Sequence, residues 1–116
     1  MRLFCRLLLA GSLLLGAGCR NGNEKPVLNK EQMVPVLYAM MIADEVTLQK
    51  SFKDSTVTLK QLRAERYEEV FALYNTNRED FWKSLKYYEA RPPEFKVILD
   101  SVEAVASRYR TQQYVK

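Results

Sequence analysis

Between Phe95 and Tyr109 the apolar side chains Phe95, Ile98, Leu99, Val102, Val105, Ala106 and Tyr109 return at every third or fourth position. That spacing collects them on one face of an α-helix, and nowhere in the chain does an apolar/polar alternation offer a strand instead. Three earlier stretches share the period. The first runs from about Lys30 to Lys50 with Asn29 placed to cap it, although Pro35 removes one early backbone bond, so the helix either kinks there or begins nearer Met33. Met33, Leu37, Met40, Met41 and Leu48 share one of its faces, and Tyr38, Ala39, Ile42 and Val46 occupy the other. The second starts near Leu59, with Thr58 and Gln61 as a capping box and Leu59, Leu62, Val70, Leu73 and Tyr74 facing inward. Thr76 and Glu79 repeat the capping pattern for a third, in which Phe81, Trp82, Leu85 and Tyr88 gather. Pro92 and Pro93 end that helix and suit the first turn of the fourth. The prediction is an all-α fold, a compact bundle of about four helices over residues 30–116, with neighbours joined by short loops roughly antiparallel.

The beginning of the chain follows another rule. Arg2 and Arg6 precede an apolar run from Leu7 to Leu15, and Gly16-Ala17-Gly18 leads to Cys19. This is the layout of a secretory signal, too short for a comfortable membrane span. A cysteine directly after the small residues matches the lipobox of bacterial lipoproteins, where the thiol is acylated and the peptide is cut before it. Gly16 stands where lipoboxes usually carry Leu, and ordinary secretory cleavage and an uncleaved anchor are the alternatives. The expected division is a signal peptide over 1–18, a lipidated N-terminus and tether over 19–29, and the helical domain over 30–116.

Removing 1–18 takes away Arg2 and Arg6 but no acid, so the net charge of +4 falls to +2. No dense basic stripe remains, which argues against nucleic-acid binding. Cys5 leaves with the signal and Cys19 is taken by lipid, so no disulfide forms within one mature chain. With no histidine in the sequence, zinc and haem sites lose their usual ligands, and neither a metal nor another cofactor is expected. Phosphate-loop and dinucleotide glycine patterns are missing as well.

Several segments in order resemble a family of small lipoproteins from Bacteroides-type bacteria. They are Met33-Val34-Pro35-Val36-Leu37-Tyr38 with Ile42-Ala43-Asp44, then Tyr67-Glu68-Glu69-Val70-Phe71, then Phe81-Trp82-Lys83-Ser84-Leu85-Lys86-Tyr87-Tyr88, and past Pro93 to Ile98, Leu99, Asp100 and Val102. The resemblance covers most of residues 30–105 and implies a lipoprotein address and a helical domain of unknown function, with no activity. Members often carry a basic residue, a histidine and a glycine between the second and third helices, where Leu73-Tyr74-Asn75-Thr76-Asn77 stands here. Arg20-Asn21-Gly22-Asn23 lacks the acidic residues that tend to follow the cysteine in surface-exported members, which favours a periplasm-facing anchor in the cell envelope.

Asp44 falls within about 20° of Met33 on the helix, in the middle of an apolar face. A carboxylate there must be paired, hydrogen-bonded or protonated, and Arg63 and Arg66 interrupt the second helix in a way that offers a structural ion pair. Truncating a fully buried pair of this kind costs about 3 kcal/mol. A general acid or base at Asp44, as in a hydrolase, is the sharper and less favoured reading. Tyr74, Tyr88 and Tyr109 read as core residues, and Tyr87, beside Asp80, Ser84 and Arg91, as a contact residue. The favoured function is a non-catalytic, membrane-anchored interaction or assembly module with an envelope protein as partner. Tyr38, Ala39, Ile42 and Val46 would be its surface, unless residues Ser51 to Val57 fold back over them. A small-ligand or lipid-binding helical protein is the alternative.

Overall fold

The computed structural model describes residues 25–56 and 58–115; the expected signal segment, Cys19 and Val57 lie outside these. Among the described residues there are four helices and no strand: α1 Lys30–Lys53, α2 Leu59–Leu73, α3 Arg78–Glu89 and α4 Pro92–Tyr114. Asn29 opens α1 through a reciprocal capping box, its side chain accepting from the Gln32 N–H at 2.8 Å while the Gln32 side chain accepts from the Asn29 N–H at 2.9 Å. The box fixes the start at Lys30, and the helix runs through Pro35. Losing one backbone bond near the helix start is tolerated because a second cap bond secures the same turn.

The other caps differ from the sequence expectation. The Thr58 hydroxyl donates to the Gln61 side chain and makes no bond to the backbone of α2. Asn77, not Thr76, caps α3 by accepting from the Asp80 N–H at 2.9 Å. Thr76 is committed elsewhere: its N–H donates to the Phe71 carbonyl at 2.9 Å, and the Asn75 N–H donates to that of Ala72 at 3.2 Å. Asn75 has φ of 53°, the left-handed conformation that such a helix stop requires and that asparagine tolerates better than most residues. The turn also carries Leu73 and Tyr74 out to solvent instead of inward, and Phe71 takes their place in the core.

α1 is the hub. It packs along α2 and along α4, whose backbones do not approach one another; α3 packs against all three. Tyr74 and Asn75, at the end of α2, lie beside Asn29 and Pro35 at the start of α1, so these two helices are antiparallel. Lys30 reaches Glu94 at 3.7 Å, and further along Tyr38 stacks on Tyr109, so α4 runs parallel to α1. Both ends of α3 therefore lie at the same end of the bundle, and α3 crosses beneath α1 rather than running antiparallel to its neighbours. Its length suits the task. Twelve residues span about 18 Å, close to the two interaxial spacings of roughly 8–10 Å that separate α2 from α4 across α1.

The core is concentrated at this crossed end, where Met33, Val36 and Met40 of α1 meet Val70, Phe71, Phe81, Leu85, Tyr88, Ile98 and Val102. Phe71 and Phe81 lie 5.3 Å apart between ring centres. The buried stripe of α1 is Met33, Val36, Met40, Ala43 and Thr47, rolled by roughly 70° from the expected one at 100° per residue. Leu37 is half-buried, and Met41 and Leu48 are exposed. The roll has a cause: it moves Asp44 from the middle of the dry face to its edge, where a carboxylate can keep polar partners. On α4, likewise, Ile98 and Val102 are buried while Leu99 and Tyr109 remain exposed, and Trp82 of α3 faces outward.

One residue expected in the tether belongs to the fold. Leu28 is buried in the core. Its N–H donates to Ser84 Oγ at 2.9 Å, its carbonyl accepts from Tyr88 Oη at 2.9 Å, and Ser84 donates in turn to the Asp80 carbonyl at 2.8 Å. Neighbouring turns of α3 thus hold both backbone groups of Leu28, which explains the two buried polar side chains on that helix. Ser84→Ala strands the Leu28 N–H and should cost about 1–3 kcal/mol in urea unfolding; Leu28→Ala should cost about 2–5 kcal/mol. Unfolding midpoints unchanged in both variants would show that the chain before α1 is not part of the folded unit.

Candidate interaction surface

Asp44 sits two-thirds of the way along α1, where α2 passes antiparallel. Its Oδ1 lies 3.0 Å from Arg63 Nε, and Tyr67 Oη donates to the same carboxylate at 2.8 Å to Oδ1 and 3.0 Å to Oδ2. Arg63 and Tyr67 are four residues apart on α2, so one turn presents a cation and a phenol together. The Arg63 Nε–H is close to Asp44 but not aimed at it and has no aligned acceptor. The contact is therefore chiefly electrostatic, and the phenol makes the directed bond. The side chains of Arg63 and Asp44 are 40% and 38% exposed, so this is an edge pair and not a fully buried one. Its contribution belongs near 1 kcal/mol, below the value for a dry pair. Arg66 takes no part: it pairs with Glu69 on its own helix at 2.8 Å. Tyr67 was the partner that sequence reasoning missed, although its i+4 spacing from Arg63 was visible.

Burial pushes the Tyr67 phenol up to about 12, with the Asp44 hydrogen bond and its charge adding to the rise and Arg63 opposing it. Burial likewise raises Tyr88, whose hydroxyl is committed to Leu28. Tyr87 is engaged within the chain, with the Arg91 guanidinium carbon 3.7 Å from its ring centre and Arg91 donating to the Tyr87 carbonyl at 3.0 Å. Ser84 is buried under Leu28 and does not stand beside Tyr87 at the surface.

The second apolar face of α1 divides in two. Tyr38 and Ala39 are half-buried against the core, Tyr38 lying flat on Tyr109 with 5.4 Å between ring centres. Ile42 and Val46 are 43% and 45% exposed, with Met41, Leu48 and Phe52 also open around the same half of the helix. Ser51–Lys53 extend α1 instead of turning back, so this segment does not fold over the face. The open half begins where α3 ends its support: α1 is about 36 Å long, and α3 crosses only its first turns. Alongside it, Tyr38, Met41, Ile42 and Glu45 of α1 and Ala106, Tyr109, Arg110 and Gln113 of α4 line an open groove.

The family of a domain of unknown function (DUF4296) matches residues 25–112. The chain belongs to this family. The matched span begins just before Leu28 and takes in all of α1, α2 and α3 and nearly all of α4, so the DUF4296 domain is the four-helix unit together with its latch. Neither the curated proteins nor the solved structures compared with the chain gave a match. Among the described residues no helix is long and apolar enough to cross a membrane, and no three acidic, cysteine or histidine side chains cluster as metal ligands.

The raised Tyr67 value sets a pH dependence for the DUF4296 domain. A phenol whose folded value exceeds its unfolded value near 10 stabilises the fold fully below pH 10 and loses that contribution as pH rises toward 12. Thermal midpoints of wild type and Tyr67→Phe should therefore converge across that window, and the late-titrating tyrosine absorbance, to which Tyr88 also contributes, should shrink by one tyrosine in Tyr67→Phe. A late component of undiminished amplitude in Tyr67→Phe would contradict the assignment. Asp44→Ala should cost about 1 kcal/mol.

Proposed function

We propose that the chain is a lipid-anchored protein of the bacterial envelope, facing the periplasm and acting as a non-catalytic interaction or assembly module. The anchor rests on the sequence from Arg2 to Cys19, and the single observation that carries the interaction role is the open apolar half of α1. Ile42 and Val46 remain accessible in the lone chain although the same helix is the packing hub of the fold. Side chains of that type gathered on one side of a small domain favour an interface over chance exposure. The non-catalytic reading draws on Asp44, whose carboxylate is occupied by Tyr67 and faces Arg63, so that it braces two helices instead of serving as a free base.

Two experiments test the two halves separately. A fatty-acid analogue fed to cells should label the wild type and miss Cys19→Ser; label on the variant would refute lipidation at Cys19. Changing Ile42 and Val46 together to Lys should preserve the fold and the lipid while removing an envelope protein that co-purifies with the wild type in mild detergent. A double variant that keeps the same partner would eliminate this face as the docking surface.

A further inference from the structure

α1 and α2 together outreach α4. Gln113 lies across the groove from Glu45 and α4 ends one residue later, at Tyr114, whereas α1 continues to Lys53, about 10 Å further. α2 comes back antiparallel beside it: Arg63 stands against Asp44, so the first turn of α2, from Leu59, is level with the exposed end of α1. The two helices form a prong with Asp54, Ser55 and Thr56 at its end.

Phe52 is 87% exposed on the last turn of this prong, with Leu48 one turn behind it. Around the helix Lys53 stands roughly 100° to one side of the ring and Lys50 roughly 160° to the other, and Lys60 adds a third cation from α2. All three lysines are exposed, and none belongs to an ion pair among the described residues. The acid at the end, Asp54, is turned onto Thr56, accepting from its N–H at 3.0 Å and from its hydroxyl at 2.6 Å. The positive excess extends behind the tip. Residues 44–66 and 108–115 carry seven basic and four acidic side chains, against seven and nine in residues 25–43 and 67–107. The domain is therefore polarised along its length, positive at the prong and negative at the crossed end, which orients it toward an anionic surface.

The size of the tip separates a lipid surface from an acidic protein. Two helices side by side, each about 10 Å across, present an end of roughly 200 Å², about a quarter of the ~800 Å² that one partner gives to a stable protein interface. A bilayer demands no such area. An aromatic ring enters its interface while lysine stems reach back to the headgroup phosphates, and each lysine near an anionic leaflet adds its own attraction.

We propose that the end of the α1–α2 prong docks on a lipid surface rich in anionic headgroups, with Phe52 entering the interface and Lys50, Lys53 and Lys60 meeting the phosphates. This contact goes beyond the face of Ile42 and Val46. It belongs to the folded domain and does not depend on a lipid at Cys19.

The test moves the chain's single tryptophan to the tip. The full chain carrying Trp82→Phe and Phe52→Trp is reconstituted into vesicles of brominated phosphatidylcholine, with or without phosphatidylglycerol as a major component. Empty vesicles of the same composition are added in excess, so that the prong can meet lipid in either direction. With phosphatidylglycerol the emission should shift to shorter wavelength and be quenched; without it the emission should stay that of a ring in water. Changing Lys50, Lys53 and Lys60 to Gln should lower the ratio of docked to free reporter by about fivefold per lysine, on the order of a hundredfold together, with the helical circular dichroism unchanged. Raising salt to about 1 M should release the parent reporter without any further substitution. Equal quenching in the two kinds of vesicle, quenching indifferent to salt, or a triple variant quenched like its parent would overturn the proposal. So would a reporter that no vesicle quenches and that only an added acidic protein shields.

Discussion

Everything in this fold is held through α1. α2 and α4 pack on different sides of it and their backbones do not approach one another, so each takes its place from α1, and α3 is positioned by having to bridge their ends. Such an arrangement is cheap in chain length: a helix of 12 residues closes the base of a bundle whose long members have 24 and 23. It also has a built-in asymmetry. At the crossed end α1 is surrounded by α2, α3, α4 and Leu28, and beyond Met40 only two flanking helices remain to cover a helix that is apolar on most of its circumference.

The apolar residues of the distal half are therefore a consequence of topology combined with sequence. A helix serving only as a hub would turn polar once its neighbours ran out, whereas Met41, Ile42, Val46, Leu48 and Phe52 continue into the exposed half. Asp44 and Thr47 add to the contrast. They lie on the side that α2 covers, where Arg63 and Tyr67 take up the carboxylate. The polar side chains of this half thus include two that are turned toward the protein, while several of its largest apolar ones are turned away. The Leu28 latch holds the start of the described chain at the opposite, crossed end.

Much of this was legible in the residues. Three-four spacing located all four helices, Asn29 and the Pro92-Pro93 pair marked two boundaries, and the mismatch of Asp44 with its apolar neighbours pointed to an arginine on α2. Four things were not. Capping signals at Thr58 and Thr76 were ambiguous because neighbouring polar residues offer competing bonds: the Thr58 hydroxyl goes to the Gln61 side chain, and the stop built on Asn75 leaves the α3 cap to Asn77. The roll of α1 depends on where α2 presents Arg63 and Tyr67, a tertiary fact that periodicity on one helix does not contain. Leu28 stood one residue before a cap in a polar stretch, and only the facing Ser84 and Tyr88, 56 and 60 residues away, reveal that it is core. Short loops suggested antiparallel neighbours; the direction of α3 instead followed from the distance that it has to bridge.

The central claim is that the distal half of α1 is open in the isolated chain and covered in its native setting, and the methionines of that helix report on it directly. Met33 and Met40 are buried while Met41 is 56% exposed, so mild peroxide footprinting read by mass spectrometry compares neighbouring thioethers on one helix. In dilute purified protein Met41 should oxidise well ahead of Met33 and Met40, and in intact cell envelopes its rate should fall toward theirs. Equal rates for Met33 and Met41 in the purified chain, or a Met41 that reacts as fast in the envelope as in solution, would contradict the account.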